Sequence, residues 1–447
     1  MAATVLDSAL YRDSFGTPAM RGIFEDAALL ARYTEIEVAL ASVQGRLGVI
    51  PAGAAKDIAA KCDASKLDLE RLKKETETVG YPILPLVRQL AAQCGEAGKF
   101  LHWGATTQDI MDTAVVLQVR DALTLIDADL STLRAILLRQ AKRYRDTPMA
   151  GRTHLQQALP VTFGYKLAIW LAGMDRHAER LAQLKPRVLV GQFAGAAGTL
   201  ASLGDKGLEV QKALMEALRL GQPVATWHAA RDGLAEAVNF LALLTGSLGK
   251  IAFDVMLMAS TEVGEVSEPF LQGRGASSTM PQKRNPISSE LILAAAKAVR
   301  QHAGLMLDAM VQDFERATGP WHAEWIALPE AFMLTGGALH QAVYMLGGLV
   351  VDEARMRRNL DMTHGLIVAE AVMMGLAPHL GRNEAHDIVY DACRVVADRG
   401  GSLADALAKV PAVSKHLDRA ALDKLTDPAN YLGAAQEMVD RVVAKRA

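Results

Sequence analysis

Aromatic side chains supply only 5% of this 447-residue chain. A large core must therefore be filled by Ala, Leu, Val and Met, and the hydrophobic fraction of 51% provides ample material for one. Such an interior favours helices, because these side chains lose little rotamer freedom there. The chain is also too long for a single core, which implies two or three domains. Cysteine is scarce: Cys62, Cys94 and Cys393 lie far apart with no CxxC pair, which excludes a disulfide framework and argues against a cysteine-rich zinc site. An excess of either charge is missing too, with 48 Lys plus Arg against 50 Asp plus Glu. That balance gives no electrostatic reason to expect a nucleic acid or an anionic membrane as partner. The basic cluster Arg355, Arg357 and Arg358 reads as a solvated helix face.

The Met1 end lacks the basic start and apolar stretch of a secretory signal. The most apolar long run, Ala331 to Val351, is interrupted by His340, Gln341 and four glycines, and reads as a packed internal helix rather than a membrane span. The chain is expected to be soluble and cytoplasmic. HExxH, GxSxG, GxxxxGK[ST] and a strand-following GxGxxG are all absent. Metal, acyl-enzyme, P-loop and dinucleotide chemistries thus have no support, and no cofactor is expected.

What is present is helical periodicity. From Met111 to Thr147 there is neither Gly nor Pro, and Val115, Val119, Leu123, Ile126, Leu130, Leu133 and Leu137 recur at helical spacing up to Pro148. A helix of that length spans roughly 50 Å, too long for one ordinary globular domain. Further helices are expected over Val161–Leu184, Gly207–Leu220, Trp227–Val263, Ile287–Arg316 and Glu324–Val351. Several are apolar around most of their circumference, which calls for burial between identical subunits, most simply in a tetramer. No alternating β pattern of useful length stands out. Shorter segments punctuated by Pro and Gly flank the long ones. The expected division is an N-terminal domain over residues 1–100, a central long-helix bundle over 101–362 and a C-terminal helical domain over 363–447.

Four polar, glycine-rich segments interrupt the helices: His102–Asp109, Gly151–Gln157, Gly191–Gly204 and Gly273–Pro286. In the last, Ser277, Ser278, Thr279, Lys283, Arg284 and Asn285 stand between glycines and are closed by Pro281 and Pro286, a composition suited to a lid. A nearby cation and backbone N–H groups favour a serine alkoxide at Ser278, and Lys283 and Asn285 can hold a carboxylate. Composition alone fits an exposed polar loop equally well. Thr106 and Thr107 sit beside a helix N-terminus that welcomes an anion, although simple N-capping explains them too. His154, after Arg152 and Thr153, is a proton carrier near neutral pH or a structural histidine near a helix start.

Together these segments resemble the fumarase/aspartase superfamily. Ser277–Pro286 is similar to its signature loop, usually written GSSxMPxKxNP, and His102–Asp109 and Gly151–His154 resemble its two other active-site regions, in matching order. The resemblance implies an all-α, three-domain subunit built on a long central helix bundle. It also implies a homotetramer whose active sites are shared between subunits, and chemistry on a small carboxylate with neither metal nor organic cofactor. By matching positions it implies Ser278 and His154 as acid/base residues, and Lys283 and Asn285 as the carboxylate-binding pair. Thr106 and Thr107 become anion-binding residues, His102 and Thr153 further substrate contacts, and Glu290 the carboxylate supporting His154. Thr17–Phe24, Trp227–Asp232, Trp321–Trp325 and Arg357–Asp361 resemble the 3-carboxy-cis,cis-muconate cycloisomerase group, which implies lactone closure through an aci-carboxylate. His154 also suits a fumarate-forming C–N or C–O lyase. A non-catalytic structural homo-oligomer is a third alternative, opposed by the intact Ser278, Lys283, Asn285 and His154.

Overall fold

The Gly- and Pro-free stretch forms a 37-residue helix, Thr107–Arg143, about 55 Å long at 1.5 Å per residue. It begins earlier than the periodicity suggested because the Asp109 carboxylate reaches back to accept the Thr106 N–H at 3.0 Å, one half of a capping box. It ends earlier because the Gly164 N–H takes the Tyr144 carbonyl at 2.8 Å and the chain turns into a strand at Pro148. The computed structural model describes residues 4–316 and 318–445. Four more long helices follow: Phe163–Val188, Asp232–Ala259, Ile287–Ala309 and Pro320–Gly347. The fold is all-α. Among the described residues, strands are confined to the Pro148–Thr153/Gln156–Thr162 hairpin and the two-residue pair Val266–Ser267/Val350–Val351.

That hairpin corrects the sequence reading. Its strands do not alternate in burial, and Gly151 to Gln157 is polar apart from Leu155, so no period-2 signal marks it. Thr153 pairs with Gln156 across a two-residue turn, His154 and Leu155, at φ 51° and 64°. Two successive left-handed residues match the twist of a tight hairpin. His154 is thus a hairpin tip, not a residue near a helix start. Several helix boundaries also differ, two of them most. Trp227–Arg231 stays outside the following helix, its side chains engaged elsewhere. The Ile287 helix stops at Ala309, leaving Arg316 on the loop that follows.

The chain divides into two compact units. The first takes in residues up to Leu130 with His177–Gly249 and Leu291–Gln341; the second takes in Ser131–Arg176, Lys250–Glu290 and the chain from Ala342. Leu40, Ile58, Leu86, Leu90, Ile110, Val116, Phe193 and Leu214 belong to the core of the first. In the second, Val372, Leu376, Ala385, Leu403, Leu407 and Val413 make a small helical core near the C-terminus. Among the described residues one helix, Asp232–Ala259, is long and apolar enough to cross a membrane by length and composition alone. Half of its most apolar stretch is buried inside the fold, as in a core helix. Large apolar side chains nevertheless stand exposed on the long helices, among them Ile169, Leu243, Phe253, Leu307 and Ile326, each more than half exposed.

The fold brings together two cysteines that are remote in sequence. Cys62, at the end of the Ala52–Lys61 helix, and Cys94, the last residue of Ile83–Cys94, are free thiols with sulfurs 3.3 Å apart. Burial first, then the Cys94 contact, pushes the Cys62 thiol up to about 12, so thiolate is scarce at neutral pH. Mild chemical oxidation is expected to close this pair slowly, and faster as pH rises. Intact-mass measurement should show the loss of two hydrogens, abolished by Cys62→Ser. Loop-closure entropy for a crosslink of this span stabilises by about 3–4 kcal/mol. Crosslinking through Cys393 instead would contradict this geometry.

Candidate active site

Of the nine residues predicted for the site, His102, Thr106 and Thr107 belong to the first unit. Thr153, His154, Ser278, Lys283, Asn285 and Glu290 belong to the second.

In the first unit, the His102–Asp109 segment is laid on the Asp26–Arg46 helix by two polar contacts. His102 Nδ1 lies 2.6 Å from Glu37 Oε1, and Gln44 Nε2 donates to the Trp103 carbonyl at 2.7 Å. Gly104, at φ 76°, permits the turn; a Cβ there would press to 2.9 Å from the Leu203 side chain. The organiser is Asp109, a residue the sequence reading passed over as the end of a motif. Its carboxylate accepts from the Thr106, Ala194 and Gly195 N–H groups at 2.9–3.0 Å and from His228 Nε2 at 2.8 Å. Thr113 and Gln192 exchange hydrogen bonds at 2.7 and 2.9 Å one turn further along. Two of the four polar segments, His102–Asp109 and Gly191–Gly204, are thereby held against each other.

The Thr106 hydroxyl accepts from Arg316 Nη1 at 2.7 Å. Arg316 is a second residue the sequence reading missed. Nothing in its local pattern marks it, since it lies on a stretch read as helix. It brings a fixed positive charge to the Thr106–Thr107 helix start.

Burial disfavours the charged form of His102, but the Glu37 carboxylate outweighs it and holds the imidazole above its ordinary value. A raised folded-state pKa stabilises the fold fully below about pH 6.5 and less as pH climbs through the folded value. Glu37→Gln removes the attraction and leaves the burial. The His102 titration followed by NMR is therefore expected to fall from above the ordinary value to below it, and the stability lost over that pH range should vanish. An unchanged titration would detach His102 from Glu37.

In the second unit the hairpin tip exposes Thr153 and His154. Its stem is anchored by Arg152, which grips the buried Glu265 with both terminal nitrogens, at 2.6 and 2.9 Å. Asn359 also donates to Glu265, at 2.9 Å. Three residues on, Glu268 accepts from the Ser288 and Ser289 N–H groups at 3.0 and 2.8 Å and so caps the Ile287–Ala309 helix. The short segment from Glu265 to Glu268 thus ties the hairpin stem to the exit of the Gly273–Pro286 loop. Neither glutamate carried a sequence signal.

The loop itself is held at its base. Gly275, at φ 69°, accepts the Asn285 N–H at 3.0 Å, and Ala276 bridges Arg284. Arg274 donates to Ser288 at 2.7 Å and lies over the Tyr344 ring. At the apex, Ser277 Oγ accepts the Thr279 and Met280 N–H groups at 3.2 and 3.0 Å, while Ser278 and Lys283 are exposed. Asn285 is half-buried, and Glu290 is exposed on the first turn of the next helix. Among the described residues no hydrogen bond joins Ser278, Lys283 or Asn285 to His154.

A family model described as Lyase matches residues 13–300. The chain belongs to the fumarase/aspartase superfamily. A second family model, described as Adenylosuccinate lyase C-terminus, matches residues 365–442 of this superfamily member. Trans-aconitate decarboxylase 1 of Mycosarcoma maydis is 49% identical over 97% of this chain and 88% of its own. The 3-carboxy-cis,cis-muconate cycloisomerase of Pseudomonas aeruginosa is 47% identical over 98% of this chain and 96% of its own. The crystal structure of a fumarate lyase from Mesorhizobium sp. BNC1 matches with a TM-score of 0.91 and 57% identity, covering 97% of this chain and 99% of that one. This chain is accordingly an enzyme of the superfamily's lyase and cycloisomerase type, and members of that superfamily act on small carboxylates. The reading of a non-catalytic structural protein falls away.

Proposed function

We propose that the enzyme closes 3-carboxy-cis,cis-muconate to a carboxymuconolactone. One substrate carboxylate adds its oxygen across a conjugated double bond of the same molecule. The electron pair passes to the carbon beside a second carboxylate, giving an aci-carboxylate dianion, and uptake of one proton at that carbon completes the lactone, so that the tricarboxylate trianion and one proton together give the lactone dicarboxylate. Fixed donors around the dianion stabilise the transition state more than the ground state. Ser278 and His154 handle the proton, with Glu290 supporting His154. Lys283 and Asn285 hold the carboxylate on which charge accumulates, while Thr106, Thr107, His102 and Thr153 position the remainder. No step calls on a metal or an organic cofactor.

The observation that carries this reading is the Arg316–Thr106 contact of 2.7 Å. It sets an extra cation at the anion-binding helix start, beyond Lys283 on the loop, and a tricarboxylate needs such a surplus. The near-full-length similarity to a cycloisomerase supports the same substrate class. Exposed apolar side chains on the long helices and the outward-facing Ser278 and His154 support a homotetramer with sites shared between subunits. The division into domains at 100/101 and 362/363 belongs to this proposal.

A second reading has its own support. The similarity to trans-aconitate decarboxylase 1 favours loss of carbon dioxide from an unsaturated tricarboxylate. The similarity to a fumarate lyase favours elimination from a substituted succinate or aspartate. Purified enzyme is expected to bleach the 3-carboxy-cis,cis-muconate chromophore without releasing carbon dioxide. Carbon dioxide from trans-aconitate with the muconate untouched would give the decarboxylase reading its place, and fumarate absorbance from a substituted aspartate the elimination reading.

A further inference from the structure

The first unit contains a cavity of about 340 Å³ that none of the nine predicted residues, nor Arg316, lines. Its size falls in the lower range of small-ligand pockets. The rings of Phe24, Tyr33, Trp321 and Trp325 form much of its wall, with aliphatic side chains between them, and its polar edge includes Asp112 and Glu324. Trp321 and Trp325 meet edge to face at 5.2 Å, a fixed aromatic corner.

The charge balance beside this cavity is uneven. Buried Arg231 donates to both oxygens of Asp112, at 2.7 and 2.9 Å, and to both of Glu324, at 2.8 and 2.5 Å. One guanidinium thus serves two carboxylates and leaves one formal negative charge against an apolar wall. Burial, and then Asp112, push the Glu324 carboxyl up despite Arg231. Tyr33 is only 2% exposed, and its hydroxyl has no hydrogen-bond partner among the described residues. Aromatic faces, surplus negative charge and an unpartnered phenol oxygen all suit a cation that carries N–H donors. A carboxylate such as the reaction's substrate would be repelled.

We propose that this cavity binds a small organic ammonium ion with an apolar body, its charge held between the aromatic faces and the Asp112–Glu324 pair and its N–H accepted by Tyr33. No residue assigned to the carboxylate chemistry lines this cavity, and the proposal does not depend on which reaction the enzyme catalyses.

The test uses the intact full-length enzyme and three probes of one shape: 2-phenylethylammonium, neutral 2-phenylethanol and anionic 3-phenylpropionate. Binding is read by calorimetry and by tryptophan fluorescence. The ammonium is expected to bind about tenfold more tightly than the alcohol, and the anion not at all. Trp325, at 36% exposure, lies at the rim and is replaced with little risk to folding, which circular dichroism verifies. Trp325→Ala should weaken ammonium binding at least fivefold (about one cation–π contact), and Ser278→Ala should leave it unchanged. Equal or tighter binding of the alcohol or the anion overturns the proposal. So does absence of ammonium binding, or binding indifferent to Trp325→Ala. Because binding and not turnover is read, these outcomes are independent of the muconate assay.

Discussion

Replacing Ser278 by alanine is expected to lower turnover by about 10²–10⁴-fold, the ordinary worth of a positioned proton-transfer group, without loss of the fold. The structure gives the second half of that expectation. Ser278 is exposed at the apex of a loop whose base is fixed by the Asn285–Gly275 hydrogen bond and the Ala276–Arg284 bridge, and whose turn is closed by Ser277 rather than Ser278. Loss of its hydroxyl therefore removes no structural contact. Ser277→Ala gives the contrast, since it loosens the turn and should raise KM more than it lowers kcat. The pair is checked by steady-state kinetics alongside light scattering. Turnover within a fewfold of the parent in Ser278→Ala would take the proton-transfer role away from this serine.

The second large effect is on stability. Arg231→Met leaves Asp112 and Glu324 facing each other without a counter-charge, both side chains at most 4% exposed. Removing one member of a buried ionic group costs about 3–5 kcal/mol, because the orphaned charge cannot return to water. Replacing all three, as Arg231→Met with Asp112→Asn and Glu324→Gln, removes the charges together and should recover much of the loss. Denaturant unfolding at neutral pH measures both. A single variant within about 1 kcal/mol of the parent would mean that the two carboxylates already share a proton.

The sequence made the all-α architecture legible through long periodic runs: the 37-residue Thr107–Arg143 helix follows from the missing Gly and Pro. Boundaries failed where side chains bind across long sequence separations. Trp227–Arg231 has helical composition but spends His228 on Asp109 and Arg231 on Asp112. The hairpin carrying His154 was missed because two non-glycine residues occupy its left-handed turn, where the eye looks for Asn-Gly. Candidate site residues came from motifs, which name the groups at the surface of a site. The supporting carboxylates Asp109, Glu265 and Glu268 and the cation Arg316 stayed hidden, because their meaning lies in partners that no local window contains.

The single carboxylate of Asp109 has one more consequence. The amide protons of Thr106, Ala194 and Gly195 share that one acceptor, so none can meet solvent until the side chain lets go, and release frees all three at once. In deuterated water they should fade in step, though some ninety residues of chain part the first from the others. Their common rate would then time the loosening of the Asp109 clamp that holds Gly191–Gly204 against the start of the Thr107–Arg143 helix.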